Sequence, residues 1–283
     1  MTHLTKQALD TPGGGADLPG ERELTTAEQI DAMSDPNFMT SLARGLAVVQ
    51  AIGDSRKPQT IAQVSQKTGI PRAAVRRCLY TLQQLGYVEA ELTNFSLRPK
   101  VLTLGYSYLS STPLIVSSQP YLNAISGELG ESCSLAVLDD DEVLYVARSA
   151  ASRVMSVSLN TGSRLPAYCT SLGRVMVAYL APDELDAYFA CTKLEAMTDK
   201  TVTSQQRLRE ILLAVRQDGY AINDEELELG LRSIAVPVRG ASGQVLAALN
   251  VGAQAGRVSV ERMRQEFLPV LQRGARELAV LLP

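Results

Sequence analysis

A chain of 283 residues, 46% hydrophobic and 20% charged, can bury a substantial core and has room for roughly two domains. Its mean hydropathy is +0.02, and its longest apolar runs, such as residues 175–181, are far shorter than the roughly 20 residues of a membrane-spanning helix, so neither a disordered chain nor a helical membrane protein is expected. A single histidine (His3), four dispersed cysteines without Cys-x-x-Cys spacing, and a net charge of −3 weigh against a histidine-based triad, a zinc site, a disulfide framework and, on charge alone, a nucleic-acid partner.

Residues 1–37 combine Pro12, Gly13, Gly14 and Gly15 with acids and few apolar residues, which predicts a flexible tail carrying at most a short helix around residues 26–33. No apolar segment follows a basic start, so no signal peptide and a cytoplasmic location are expected. From residue 41 the pattern is helical, with Leu42, Leu46, Val49 and Ile52 on one face of a helix that stops near Gly53. Thr60 can cap a second, short helix, Gly69 suits a left-handed turn after it, and Pro71 can start a third. Helix, glycine turn and helix make a helix-turn-helix.

On a helical wheel the third helix gathers Val75, Cys78, Leu79, Leu82 and Leu85 on one side, and Arg72, Ala73, Arg76, Arg77, Tyr80 and Gln83 on the other. A solvated face would also tolerate these arginines. Two short strands follow, residues 87–91 and 95–97 around a turn at Thr93 and Asn94, and then Arg98 and Lys100. Together they make a winged helix over residues 38–99, whose wing is expected to lie along a DNA backbone. Nine Lys/Arg against three acids give residues 38–100 a charge of +6, while the rest of the chain carries −9. A compact basic segment on an acidic protein is the footprint of phosphate contact. The candidate DNA contacts are Arg44, Arg72, Ala73, Arg76, Arg77, Tyr80, Arg98 and Lys100.

Residues 100–112 are expected to form a linker helix, and residues 113–283 a second domain. Its expected elements are a helix at 120–130, a hairpin of strands 132–138 and 143–148, a strand at 154–159, a loop at 160–167, and helices at 170–180 and 204–217. Strands at 220–223, 233–238 and 245–251 precede a closing helix that Pro269 should disturb. This mixture predicts an α+β fold on an antiparallel sheet.

Several stretches in this order resemble the IclR family of bacterial regulators: residues 41–46, 69–72, 82–87, 165–174 (Leu-Pro-Ala-Tyr-Cys-Thr-Ser-Leu-Gly-Arg) and 224–238. Residues 105–111 and 165–171 resemble the branch that controls protocatechuate and 4-hydroxybenzoate catabolism. The resemblance implies a GAF-like α/β effector-binding domain, homodimers or homotetramers, and binding of a palindromic double-stranded operator as activator or repressor, with RNA polymerase a further partner the class allows. It also implies an effector pocket whose polar contacts are Ser171 and Leu172 (by their backbone), Asn223, Ser233 and Asn250, with an apolar wall of Val154, Val157, Leu165 and Leu231. A family member with a pyruvate-like effector carries acidic and cysteine residues where this chain has Asn223 and Ser233, which suits a different ligand.

Thr170 can cap the helix beginning at Ser171, whose free N–H groups would attract a carboxylate. An aromatic acid needs that anion seat, an apolar slot, and polar partners for its hydroxyls. Tyr168 and Thr170 are further candidate effector contacts; Ser233 and Asn250 can equally be ordinary strand polars, and Tyr168 and Cys169 core residues. Arg148 and Arg164 are alternative charge partners, and Glu225, Glu226 and Glu228 read as surface acids beside a turn. The expected effector is a small aromatic carboxylate of the protocatechuate or 4-hydroxybenzoate type. The alternatives are a non-aromatic acid such as β-ketoadipate or pyruvate and, in a different class, an enzyme acting on a small acid. The absence of a nucleophile–base pairing and the basic face at 72–77 weigh against the enzyme, and no cofactor or metal is expected.

Overall fold

The structure, a computed structural model, describes residues 24–55, 57–151 and 159–280. Two compact units divide between Leu104 and Gly105.

The first unit begins with helix α1 (Thr26–Asp31), started by a capping box in which Thr25 and Glu28 satisfy each other's backbone N–H groups. Ala27 and Ile30 are buried in the same core as α2 (Thr40–Gly53), α3 (Ile61–Thr68) and α4 (Arg72–Gln84). Residues 26–31 are therefore part of the folded unit. Thr60 and Gln63 form a second capping box on α3, and Gly69 takes φ +73° in the turn. A side chain there would be strained and would also strike the Thr25 side chain. Pro71 sits at the N-cap of α4, one position before the expected first turn.

Strand β1 (Gln59–Thr60), missing from the sequence reading, pairs with the hairpin β2 (Val88–Glu91) and β3 (Asn94–Leu97). The hairpin turns at Leu92 and Thr93, one residue earlier than expected. The wheel of α4 stands, with Val75 and Leu79 buried, except that Leu85 is 52% exposed. On α2 the buried residues are Ala47, Val48, Ala51 and Ile52, whereas Leu42 and Leu46 face outward with Met39. The core side of α2 thus lies elsewhere on the helix than the Leu42–Leu46 row suggests.

Helix α5 (Leu102–Ser111) buries no residue, and α6 (Pro113–Leu129) begins seven residues before the expected start, with Pro120 inside it. The second unit is built on an antiparallel sheet of six strands. These are β4 (Ser132–Asp139), β5 (Glu142–Ser149), β6 (Arg164–Pro166), β7 (Ala221–Asp224), β8 (Leu231–Arg239) and β9 (Val245–Gln254), in the order β6-β5-β4-β9-β8-β7. Alternation divides each strand between two helical layers. Cys133 and Leu135, Ile234 and Val236, and Leu249 and Val251 face α6 and the C-terminal helix α11 (Leu268–Ala279). Pro269 follows a π-helical segment, Met263–Phe267, the distortion that accompanies its missing N–H.

The other face packs α7 (Ser171–Val177), α8 (Pro182–Cys191) and α9 (Gln205–Asp218). Helix α8 lies outside the expected elements, although Pro182 at its first position and acids in its first turn are start signals. Strand β6 forms where a loop is expected, within residues 160–167. This sheet face carries small residues at one end, Ala136, Ala221, Ala235 and Ala248, against which α7 packs. At the other end the same alternation brings up Ser132, Ser134, Asn223, Ser233, Asn250 and Gly252, and there the layers part.

Candidate functional sites: a basic helix face and a buried cavity

Arg72, Ala73, Arg76, Arg77 and Tyr80 are all exposed on one face of α4. Arg76, Tyr80 and Gln83 line one side of an open cleft of about 420 Å³, and Leu92, Thr93 and Phe95 of the wing line the other. The remaining candidates differ. Arg44 is spent on Asp31, at 2.7 Å, and braces α1 against α2. Lys100 donates to the Leu85 carbonyl (2.8 Å) and lies 4.9 Å over the Tyr87 ring, closing the base of the wing, while Arg98 is exposed beside it. These two basic residues, Arg44 and Lys100, therefore have structural work that their sequence positions did not reveal.

In the second unit a cavity of about 30 Å³ opens between the sheet and the chain entering α7, room for about two water molecules. Of the expected effector residues, Thr170, Asn223, Leu231, Ser233 and Asn250 line it. Ser171 reaches it through a 2.8 Å hydroxyl pair with Ser233. Leu172 is fully buried in the core, Leu165 packs beside that core from β6, and the Tyr168 hydroxyl donates to the Glu195 carbonyl at 2.8 Å. None of these three side chains lines the cavity. Val154 and Val157 lie outside the described residues.

Thr170 does cap α7, accepting from the Gly173 N–H at 3.1 Å. The helix has only seven residues, which makes its end a weak seat for an anion. Among the described residues lining the cavity, the charged one is Arg148. The two candidate charge partners differ: Arg164 is held by Glu142 and Asp139 at 2.5 and 2.6 Å, whereas Arg148 lines the cavity and donates to the Ser134 hydroxyl at 3.1 Å. No carboxylate pairs with Arg148 among the described residues, and burial pulls its pKa below the ordinary guanidinium value.

The placement of Arg148 depends on a β-bulge. Ser134 faces Arg148 and Leu135 faces Ala147, but Ala136 faces Tyr145, so Val146 is an extra residue. In a regular strand residues 145 and 148 would point to opposite faces; the bulge turns both into the cavity. Tyr145, Leu159, Leu227 and Cys169 complete the less polar walls. Burial raises the Tyr145 hydroxyl to about 12 and the Cys169 thiol to about 11, so both stay protonated at neutral pH. Ser132, Ser134, Tyr145, Leu159, Leu227 and Gly252 were not among the expected residues; strand alternation around Ser233 and Asn250 could have pointed to the two serines and Gly252.

One expectation is overturned outright. Glu226 is not a surface acid: it is buried and grips Arg174 of α7 through both oxygens, at 2.5 and 2.6 Å. Glu225 pairs with Lys200 at 2.6 Å and accepts the Gly230 N–H, contacts that hold its carboxyl below the usual range. No group of three or more metal-ligating side chains is present among the described residues, and no helix there is long and apolar enough to cross a membrane.

A winged helix-turn-helix followed by a six-stranded sheet with a polar cavity defines a two-part sensor and DNA reader. Residues 41–91 match the IclR helix-turn-helix domain and residues 106–280 the C-terminal domain of the bacterial transcriptional regulator IclR. The chain belongs to the IclR family, as a DNA-binding transcriptional regulator and not an enzyme. Over 254 residues it is 52% identical to the Pca regulon regulatory protein of Pseudomonas putida, covering 89% of this chain and 87% of that one. A transcriptional regulator from Rhodococcus sp. RHA1 matches with a TM-score of 0.76 and 44% identity over 87% of this chain and 98% of the other. The inducer-binding domain of the PobR transcription factor from Acinetobacter, a double mutant in complex with 3-hydroxybenzoic acid, matches with a TM-score of 0.55 and 37% identity over 57% of this chain and 95% of that domain.

Replacing Arg76 with alanine should weaken binding to operator DNA by about 1–3 kcal/mol and leave thermal stability unchanged, because the side chain is exposed on α4. A fluorescence-anisotropy titration against the wild type checks this; a matching loss of stability would make the residue structural.

Proposed function

We propose that this regulator is switched by a small aromatic carboxylate of the hydroxybenzoate or dihydroxybenzoate type, bound in the cavity beneath α7. The observation that carries the reading is Arg148, a half-buried cation in the cavity wall with no carboxylate partner among the described residues. A guanidinium there suits a planar carboxylate, which it can bond through two parallel N–H groups. Tyr145, Leu159, Leu227 and Leu231 offer an apolar slot for a ring, and Ser233, Asn223 and Asn250 offer partners for ring hydroxyls. The likeness to a pca regulon regulator and to an inducer domain in complex with 3-hydroxybenzoic acid supports the same class.

The effector is expected to bind one conformation of this unit more tightly than another. A ligand with such differential affinity shifts the balance between two conformations, and this is the basis of the switch. The outward apolar row of Leu42 and Leu46 on α2, with Met39 at its N-cap, supports a homodimer reading a palindromic operator.

Thermal unfolding against protocatechuate, 4-hydroxybenzoate, 3-hydroxybenzoate, benzoate, β-ketoadipate and pyruvate tests the ligand class. A specific effector at about 100 times its dissociation constant adds roughly 2.7 kcal/mol of stability. Arg148→Gln should abolish that gain while the ligand-free variant still binds operator. Stabilisation by β-ketoadipate or pyruvate alone would reject the aromatic class, and a full response in Arg148→Gln would move the anion seat elsewhere.

A further inference from the structure

At the tip of the wing Leu92 is 97% exposed and holds φ +55°. The geometry points to this side chain as an apolar wedge that enters the minor groove of the operator and opens a base step beside the recognition helix α4. Two costs coincide at this residue. A positive φ in a tight hairpin turn favours Gly, Asn or Asp, and a bulky leucine is held there against its backbone preference. The side chain also lies in water and gains no burial within the unit. A residue both strained and solvated in the free protein is explained by a role in a complex.

Its neighbours identify that complex. Leu92 and Thr93 share a cleft with Arg76, Tyr80 and Gln83, so the tip continues the face that α4 offers to DNA. Contrary to the expectation of a wing lying along the backbone, its strands carry no Lys or Arg between Val88 and Leu97, and Arg98 stands only at its base. Pairing of Glu89 with Ser96 and of Glu91 with Asn94 sets two exposed carboxylates on the face opposite Ala90 and Phe95. A strand pair that repels phosphates yet adjoins a groove-binding helix approaches the duplex by its uncharged tip. Leucine is one of the side chains that insert between base steps from the minor groove, unstacking and bending the duplex. The wedge adds sequence preference without hydrogen bonds, because pyrimidine–purine steps open most readily. This goes beyond the effector reading and rests on DNA binding by α4, which Arg76→Ala tests separately.

The test uses the full chain and duplexes that it selects from a random-sequence library. Leu92→Asn relieves the backbone, and Leu92→Met keeps an apolar tip. Both are compared with the wild type for thermal unfolding, affinity over a salt series, and duplex bending by energy transfer between labelled ends. Leu92→Asn should unfold at a higher temperature, bind roughly tenfold more weakly, bend the duplex less, and keep the salt dependence of the wild type because no phosphate contact is lost. Leu92→Met should stay within about twofold of the wild type in affinity and retain the bend. Wild-type affinity and bend in Leu92→Asn overturn the proposal. So does a loss of affinity with the bend unchanged, a flattened salt dependence, or an equal loss in Leu92→Met.

Discussion

Gly173→Ala is expected to destabilise the effector unit by about 4 kcal/mol or more, in the range reserved for specific structural damage. A Cβ on Gly173 would stand 2.2 Å from the Ala167 carbonyl oxygen and 2.3 Å from its Cα, so backbone would have to move. Ala167 is poorly placed to do so. Its N–H donates to the Asp141 carbonyl at 2.9 Å, and its own carbonyl accepts from the Thr170 N–H and hydroxyl, both at 3.3 Å. One residue further on, the Tyr168 carbonyl accepts from Arg174 at 2.9 Å and its hydroxyl holds the Glu195 carbonyl. The turn that brings Cys169 and Thr170 to the cavity is tied at both ends, and glycine is what lets α7 start against it. Denaturant unfolding with a matching loss of effector response is the check. A change below about 1 kcal/mol would mean that this turn can retreat freely.

Glu226→Leu is expected to cost about 3–5 kcal/mol, because it leaves the Arg174 guanidinium buried without a counter-charge. Arg174 is 2% exposed and Glu226 8%, and water cannot take the place of the lost carboxylate. The carboxylate also accepts the Val202 N–H at 3.1 Å, while the Glu226 carbonyl accepts from the Thr201 hydroxyl at 2.6 Å. The pair thus fastens α7 to the segments on either side of α9. The double variant Arg174→Met with Glu226→Leu should recover much of the loss, since an apolar pair avoids the cost of desolvating two charges. Equilibrium unfolding of the four proteins in the cycle measures the coupling, which should change little with added salt because the pair is shielded from solvent. Near-additive single effects would show that the two side chains act independently.

Both residues were visible as letters, but neither role was. Gly173 lies within a stretch that resembles the family, yet its need to be glycine comes from Ala167, folded back to meet it. Glu226 stood in an acidic run that reads as surface, and its partner is 52 residues away. Arg44 and Lys100 read from sequence as candidate DNA contacts, because charge in a basic segment says nothing of whether Asp31 or the Leu85 carbonyl also engages it.

What the sequence by itself determined is whatever depends on neighbours in the chain. The caps at Thr60 and Thr170, the left-handed turn at Gly69, the basic and apolar sides of α4, and the alternation of β8 and β9 are all local, because capping, turn chemistry and helical or strand period act over a few residues. Those features were enough for a winged helix joined to an α+β domain. Tertiary structure alone decided which of those faces does what. Leu42 and Leu46 shared a helical face that proved to be outward, and Arg148 gained a place beside Tyr145 only through one extra residue, Val146, in the pairing of β4 with β5. A bulge is a property of two strands together, and an ion pair or a cavity a property of several. Their energies depend on burial that no single segment of the chain can set.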